Sequence, residues 1–151
     1  MPAIWTIFRE VIARGDTFVW TPDISADAFE ALWAGRGYNA YVVELDGEIA
    51  GSYMIHPNHD GRGSHVANAA YMVPERARRR GLARAMCVHS LGEAKRLGYR
   101  AMQFNIVVAT NHSAIKLWHD CGFSTIGTIP RAFHHATLGD VDALVMYRTL
   151  E

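Results

Sequence analysis

The chain has 151 residues, 50% of them hydrophobic, which suits one domain with a sizeable core and leaves no room for a second. Its 15 basic and 15 acidic residues cancel, which argues against a surface built to blanket nucleic acid or an anionic membrane. Two distant cysteines form no disulfide framework, and the first residues carry no secretion signal. We therefore expect one cytoplasmic domain over residues 1–151, with no nucleic-acid or membrane partner.

The first part of the chain has the periodicity of a helix. Apolar residues recur at helical spacing from Ile4 to Ile12, and Gly15 ends this first predicted helix. Residues 17–20 are predicted to be extended. Ser25 is a suitable N-cap for a second helix that carries Trp33 on its apolar face.

The rest of the chain alternates between strands and helices. Asp46-Gly47 joins two β-rich runs and is the strongest short signal for an antiparallel hairpin. Two helices are predicted, one over Gly81–Leu97 and one opened by Asn111. The predicted strands are Tyr38–Leu45, Glu48–Ile55, His65–Val73, Ala101–Val108, Phe123–Ile129 and Val141–Thr149, with a loop containing His134 and His135 before the last. A crossover through a helix must join parallel strands, so this order predicts an α/β sandwich with a mixed sheet.

The junction between the third predicted strand and its helix is the most informative stretch. The strand ends at Val73-Pro74, an arginine run follows, and Gly81 begins the helix. The first amides of a helix lack partners within it and attract anions together with the helix dipole, and Gly81 allows close approach of the backbone. An arginine run can also be a solvated face or a nucleic-acid patch, but its place at a helix start in a neutral chain favours phosphate.

Two blocks of residues carry a family resemblance. Arg78-Arg79-Arg80-Gly81-Leu82-Ala83 matches the phosphate motif of the GNAT superfamily of acyl-CoA N-acyltransferases, and residues 111–123 match its second block, about thirty residues later. Three shorter stretches, 64–71, 104–107 and 141–143, resemble the branch that contains fungal acetyltransferases for proline analogues such as azetidine carboxylate.

The resemblance implies a GNAT-like sandwich whose two central parallel strands splay apart, with flanking helices and with acetyl-CoA as co-substrate. The pantetheine arm would lie in the gap, the pyrophosphate on the amides of the arginine turn, and no metal is implied. The donor-site residues carried over are Tyr71, Met72, Val73, Arg78, Arg79, Arg80, Gly81, Leu82, Ala83, Asn111 and Trp118.

Three departures from the family pattern stand out. Trp118 lies where many relatives have a tyrosine that protonates the leaving thiolate, and an indole N–H cannot ionise usefully. Arg79 lies where glycine is common, so we expect the turn not to rely on a positive φ there. The family usually begins with a strand, which is here missing, displaced to residues 17–20, or lost through a shortened chain.

Two polar side chains within apolar central strands are candidates for binding the acceptor. Asn68 and Asn105 need partners because burying an unpaired amide is costly. Either they satisfy a bulge or a neighbouring strand, or they hold the carboxylate or amine of the acceptor, with Tyr71 shaping the pocket. His56, His59 and His65 show no tight metal spacing and are predicted in surface or capping roles. His134 or His135, in a loop that could close over the acceptor site, and a water chain are alternative bases, and nothing in the sequence identifies which one acts.

The sequence therefore predicts an acetyl-CoA-dependent N-acetyltransferase that acts by direct attack of a small amine, an amino acid or an analogue. A protein or peptide acceptor is the nearest rival. A non-catalytic acyl-CoA-binding module is the alternative from another class, and a nucleic-acid binder using the arginine run is third. The apolar final strands are compatible with a homodimer.

Overall fold

A computed structural model describes all residues 1–151 and shows one mixed sheet covered by helices on both faces. Its six strands lie in the order β1-β2-β3-β4-β6-β5. The helices are α1 Pro2–Ala13, α2 Ala26–Ala34, α3 Leu82–Arg96 and α4 His112–Asp120. The strands are β1 Asn39–Leu45, β2 Glu48–Pro57, β3 Val66–Met72, β4 Ala101–Val108, β5 Ser124–His135 and β6 Gly139–Thr149. This arrangement confirms the predicted GNAT-like α/β sandwich.

The helices α1 and α2 close one face of the sheet through an aromatic cluster. Phe8 is fully buried and its ring lies 4.4 Å from that of Phe29, which α2 contributes. The indole Nε1 of Trp33 donates a 2.9 Å hydrogen bond to the buried hydroxyl of Ser52 on β2. The sheet is thereby fixed against α2 by a paired polar contact as well as by apolar area.

The helices α3 and α4 close the other face. Cys87 of α3 is buried against strand residues such as Tyr53, Ala69 and Met102, and the α4 residue Trp118 packs against the same core. Because successive side chains of a strand point to opposite faces, Ser52 and Met54 of β2 face α2 and α1, while Tyr53 and Ile55 face α3.

The predicted antiparallel hairpin is confirmed. Asp46 and Gly47 have φ values of 54° and 80°, the left-handed pair that a two-residue hairpin turn requires. Cα partners run from Asn39 opposite Ile55 to Leu45 opposite Glu48. This hairpin forms one edge of the sheet and leads β2 into β3.

The two parallel strands at the centre of the sheet stop pairing after their first residues. β3 and β4 pair only at Val66 with Ala101 and at Ala67 with Met102. Beyond Ala67 the edge of β3 that faces β4 has no ladder partner. The expected splay between the central strands is therefore present, and it leaves a row of backbone groups open to a ligand.

A bulge interrupts β4 in the middle of this gap. The register of β4 against β6 shifts between Phe104 and Val107, so Asn105 and Ile106 are unpaired. Asn105 is exposed at this point. The bulge itself was one of the two roles that the sequence left open for this asparagine.

The first element of residues 1–151 is the helix α1. Residues 17–20 form no strand, so the predicted extended piece is wrong. Phe18 and Trp20 instead place their rings 6.1 Å and 5.6 Å from the ring of Phe8. Packing on the aromatic cluster has overridden the local preference for a strand.

The end of the chain also differs from expectation. The predicted loop containing His134 and His135 is part of β5, which continues past a bulge at Arg131 with φ 53°. His134 pairs with Asp140 across the hairpin. The backbone N–H of Arg131 donates to the carboxylate of Asp142 and keeps the two strands together through the bulge.

Strand β5 forms the other edge of the sheet, where Ile126 and Ile129 are exposed. The homodimer stays a prediction. No helix of the chain is both long and apolar enough to span a membrane.

Candidate functional site

The arginine turn leads from β3 into α3 through two left-handed residues. Gly81 has φ 76°, as expected of a glycine that precedes a helix, but Arg79 has φ 61°. The expectation that Arg79 avoids a positive φ is wrong. A non-glycine residue in this region costs about 1–2 kcal/mol, so the surrounding turn holds Arg79 in a strained conformation.

The backbone amides of this turn form an anion cradle. None of the N–H groups from Arg79 to Arg84 donates a hydrogen bond to the protein, whereas the amide of Ala85 donates to the carbonyl of Gly81 at 3.0 Å. A Cβ at Gly81 would meet nothing within 4 Å, so conformation rather than space requires glycine there. Unpartnered amides at the positive end of a helix dipole suit a phosphate group.

The arginines around the cradle are not equivalent. Four of them have carboxylate partners: Arg76 with Glu10 at 3.8 Å, Arg78 with Glu75 at 2.9 Å, Arg80 with Asp46 at 3.9 Å and Arg84 with Asp120 at 3.0 Å. Arg79 is exposed and makes neither an ion pair nor a hydrogen bond. The strained residue therefore carries the one guanidinium of the run that is free to meet an incoming anion.

Helix α4 forms the second wall of the gap. Asn111 caps the helix, since its Oδ1 accepts a 3.3 Å hydrogen bond from the N–H of Ala114. The ring of Trp118 lies 5.0 Å from the rings of both Tyr71 on β3 and Phe104 on β4. Trp118 thus spans the two strands where they diverge.

The hydroxyl of Tyr71 lies away from the asparagines. It is 2.6 Å from the hydroxyl of Ser90 on α3, and burial raises the pKa of Tyr71 well above its ordinary value. Asn68 is three residues earlier on the same strand and so faces the opposite side of the sheet. Tyr71 belongs to the wall shared with Trp118, and the structure separates it from the predicted acceptor side.

Met72 and Val73 end β3 beside the arginine turn, so their backbone groups adjoin the cradle. The side chain of Met72 is buried in the core under α1 and α2. Leu82 and Ala83 are the first residues of α3, and Leu82 packs against Ala50 and Ala77. Met72 and Leu82 are buried and offer a ligand in the turn only their main chain, whereas Val73 and Ala83 are partly exposed.

A cluster of amide side chains lies on the α1 and α2 side of the gap. Asn58 Oδ1 accepts hydrogen bonds from Asn68 Nδ2 at 3.1 Å and from Asn105 Nδ2 at 2.7 Å. Gln103 Nε2 donates to Asn105 Oδ1 at 3.0 Å. The two predicted asparagines are therefore brought together across the gap, through a third that sequence reasoning missed.

The sequence did not identify Asn58 as a site residue because it lies in a polar stretch that is predicted to be a loop. Its place follows from the length of β2, which extends two residues past the predicted end and sets Asn58 beside the start of β3. The backbone N–H of Asn58 donates to the carbonyl of Val66 at 2.8 Å and fixes this position. No three His, Cys, Asp or Glu side chains are grouped to hold a metal ion.

Comparisons with known proteins agree with this geometry. The profile of the acetyltransferase (GNAT) family matches residues 5–123. The N-acetyltransferase aca1 of Schizosaccharomyces pombe is 36% identical over 90 residues, which are 60% of this chain and 43% of that protein. The chain thus spans less than half the length of that curated relative.

Two solved structures share the fold over nearly the whole chain. A GCN5-related N-acetyltransferase from Kribbella flavida is 44% identical, with a TM-score of 0.92 over 98% of this chain and 90% of that one. A phosphinothricin acetyltransferase from Sinorhizobium meliloti, solved in complex with acetyl-CoA, is 21% identical, with a TM-score of 0.83 over 95% of this chain and 80% of that one. From the family match, the fold and the phosphate cradle together, the chain belongs to the GNAT family of acetyltransferases, whose acetyl donor is acetyl-CoA.

Proposed function

We propose that the protein transfers the acetyl group of acetyl-CoA to the amine of a small acceptor, an amino acid or an analogue, by direct attack. The observation that carries this proposal is the run of unpartnered amides from Arg79 to Arg84, placed at the end of a β3 edge that is itself unpaired. A pyrophosphate and an extended amide-bearing arm need these two features in continuous order.

The donor side uses main-chain groups and one guanidinium. The amides of the turn would hold the pyrophosphate, and the free edge of β3 from Asn68 to Val73 would pair with the pantetheine amides as an added strand does. Arg79 would add charge-assisted hydrogen bonds to a phosphate. Asn111 would bond the arm as well as cap α4.

The acceptor side is lined by neutral amides. The cluster of Asn58, Asn68, Gln103 and Asn105 carries no fixed charge and offers N–H donors that suit a carboxylate and amide oxygens that suit an amine of a small molecule. It lies on the sheet face opposite Tyr71 and Trp118. The acceptor amine would therefore reach the thioester from the α1 and α2 side, while the donor arm packs against the aromatic wall.

The second candidate function is a module that binds acyl-CoA without turnover. It is favoured by the presence of Trp118 where many relatives have a tyrosine. Trp118 has no ionisable hydroxyl, and the nearby Tyr71 hydroxyl is bound to Ser90 with a raised pKa. Neither is suited to protonate the leaving thiolate. Direct transfer then requires another group or solvent to supply that proton.

A thiol-release assay across amines separates these functions. With acetyl-CoA, we expect turnover on free amino acids or cyclic analogues that exceeds turnover on peptides with free N-termini. Release of CoA should be matched by an equal amount of N-acetylated product, measured by mass spectrometry. Tight binding of CoA with no turnover on any amine supports the module instead, and preferential acetylation of peptides supports the protein acceptor.

Replacement of the predicted acceptor residues should affect the acceptor and spare the donor. We expect Asn68→Ala and Asn105→Ala each to raise the acceptor KM about 10-fold or more, because hydrogen bonds to a charged group contribute about 1.5–3 kcal/mol. The KM for acetyl-CoA should stay the same. Asn39→Ala, on the edge strand β1, is the matched control and should change neither constant. Unchanged acceptor KM and kcat in both variants contradict the assignment.

Replacement of Arg79 should lower the affinity for CoA, and replacement by glycine should also relieve the strain of the turn. Loss of its guanidinium in Arg79→Ala or Arg79→Gly should weaken CoA binding about 10-fold or more, as measured by calorimetry. Arg79→Gly should also have a higher free energy of unfolding than Arg79→Ala, by about 1 kcal/mol in denaturant titrations, because glycine accepts the left-handed conformation. Arg36→Ala, an exposed arginine without an ion pair, is the control. CoA affinity equal to wild type in Arg79→Ala contradicts the role.

A further inference from the structure

His56 lies beside the amide cluster on the same face of the sheet. It is the Cα partner of Asn68 in the antiparallel pair of β2 and β3. Directly opposed residues of such a pair place their side chains on one face with Cβ atoms about 4.5–5.5 Å apart. The neighbouring even-numbered residues of β2, Ser52 and Met54, face α2 and α1. His56 continues this face to the edge of the acceptor cluster, where Asn58 follows two residues later.

One ring nitrogen of His56 is committed and the other is free. Nδ1 lies 2.8 Å from the carbonyl oxygen of Pro57, and a carbonyl can only accept, so Nδ1 carries a hydrogen. In the neutral ring Nε2 then holds a lone pair. Nε2 makes no hydrogen bond in the protein, which leaves a proton acceptor available on the acceptor side of the sheet.

The surroundings of His56 hold its ring in place and keep it uncharged. The ring stacks on that of Tyr38 with centroids 4.6 Å apart and planes 17° apart. The facing groups are the phenol of Tyr38, the amide of Asn68 and the carbonyl of Pro57, and no charged side chain pairs with the imidazole. Half-burial lowers the pKa of His56, although the Pro57 carbonyl acts in the opposite direction.

The other histidines with partners, His89, His119, His134 and His135, lie elsewhere: His119 pairs with the carbonyl of Phe123 and His135 with the amides of Thr137 and Leu138. Nδ1 of His89 is 2.5 Å from the hydroxyl of Tyr53, on the α3 face. Nδ1 of His134 is 2.7 Å from Asp140 at an exposed hairpin end. His59 is exposed in the loop after β2. His56 is thus the histidine that combines a defined tautomer with a place next to Asn68.

We propose that His56 is the general base that deprotonates the acceptor amine, an assignment that rests on the acetyl transfer proposed above. Nε2 takes one proton from the acceptor ammonium, either directly or through one water, and the nitrogen regains its lone pair. That pair forms a C–N bond to the thioester carbon while the C–S bond breaks, and the sulfur keeps the bonding electrons. The nitrogen's second proton passes to the thiolate, and the imidazolium returns its own proton to solvent.

The sequence placed His56 among surface or capping residues, and the structure changes that reading. The predicted strand ended at Ile55, so the register that sets His56 opposite Asn68 was not evident. A residue one position beyond a strand has no defined face. Extension of β2 to Pro57 gives the imidazole both its face and its neighbours.

The test compares His56→Gln and His56→Ala with wild type, using the best amine from the thiol-release assay. We expect kcat to fall about 100-fold or more in both variants, within the range of general-base contributions, with CoA affinity unchanged. Free imidazole should restore part of the activity of His56→Ala, which a purely structural role would not allow. His59→Gln, an exposed histidine three residues away, should behave as wild type.

The pH profile provides a second measurement. Protonated His56 cannot accept a proton, so wild-type kcat should fall at low pH, with an apparent pKa below the ordinary histidine value of about 6.5. This limb should be absent in His56→Gln. If His56→Ala fails to fold, His56→Asn, whose amide can reach the Pro57 carbonyl, replaces it. Wild-type kcat and pH profile in His56→Gln overturn the base assignment, whereas no wild-type turnover on any amine overturns the acetyl transfer itself.

Discussion

The site depends on how little β3 and β4 pair with each other. Two parallel strands that hydrogen bond along their length would close the centre of the sheet, but here pairing stops after Ala67 and Met102. The bulge at Asn105 keeps the far side of the gap irregular. The groups with a proposed function lie along this gap. The amide cradle is at one end, the rings of Tyr71, Phe104 and Trp118 are on one face and the amide cluster is on the other.

The cost of this arrangement is local strain and unpaired backbone. Arg79 adopts a left-handed conformation and the amides of the turn lack protein partners, although both features reduce stability. The two cores on either face supply the compensating apolar burial, one with Phe8 of α1 and Trp33 of α2, the other with Cys87 of α3 and Met102 of β4. The two buried cores therefore stabilise a sheet that has an open gap between β3 and β4 and a strained turn at Arg79.

Much of the local structure could be predicted from the sequence because its signals lie in adjacent residues. The hairpin at Asp46-Gly47 and the cap at Asn111 each follow from a few adjacent residues. The conformation of Arg79 could not, since the propensity of arginine argues against φ 61° and only the surrounding turn imposes it.

The acceptor side was harder because it depends on register and on strand ends. Asn68 and Asn105 drew attention as polar residues in apolar strands, but their shared partner Asn58 and the neighbouring His56 lie where the predicted strand had already ended. A shift of one or two residues at a strand end decides which side chains face each other. The same limit explains why His134 and His135 were placed in a loop, although the bulge at Arg131 lets β5 continue.

Amide hydrogen exchange with and without CoA tests the central claim most directly, because it reports on the backbone groups themselves. Unpartnered amides exchange quickly, and a ligand that pairs with them slows exchange. We expect slower exchange at residues 79–84 and along the free edge of β3 when CoA binds, with the hairpin tip at Asp46 and Gly47 unchanged. CoA binding that leaves the amides of residues 79–84 as fast as before would contradict this claim.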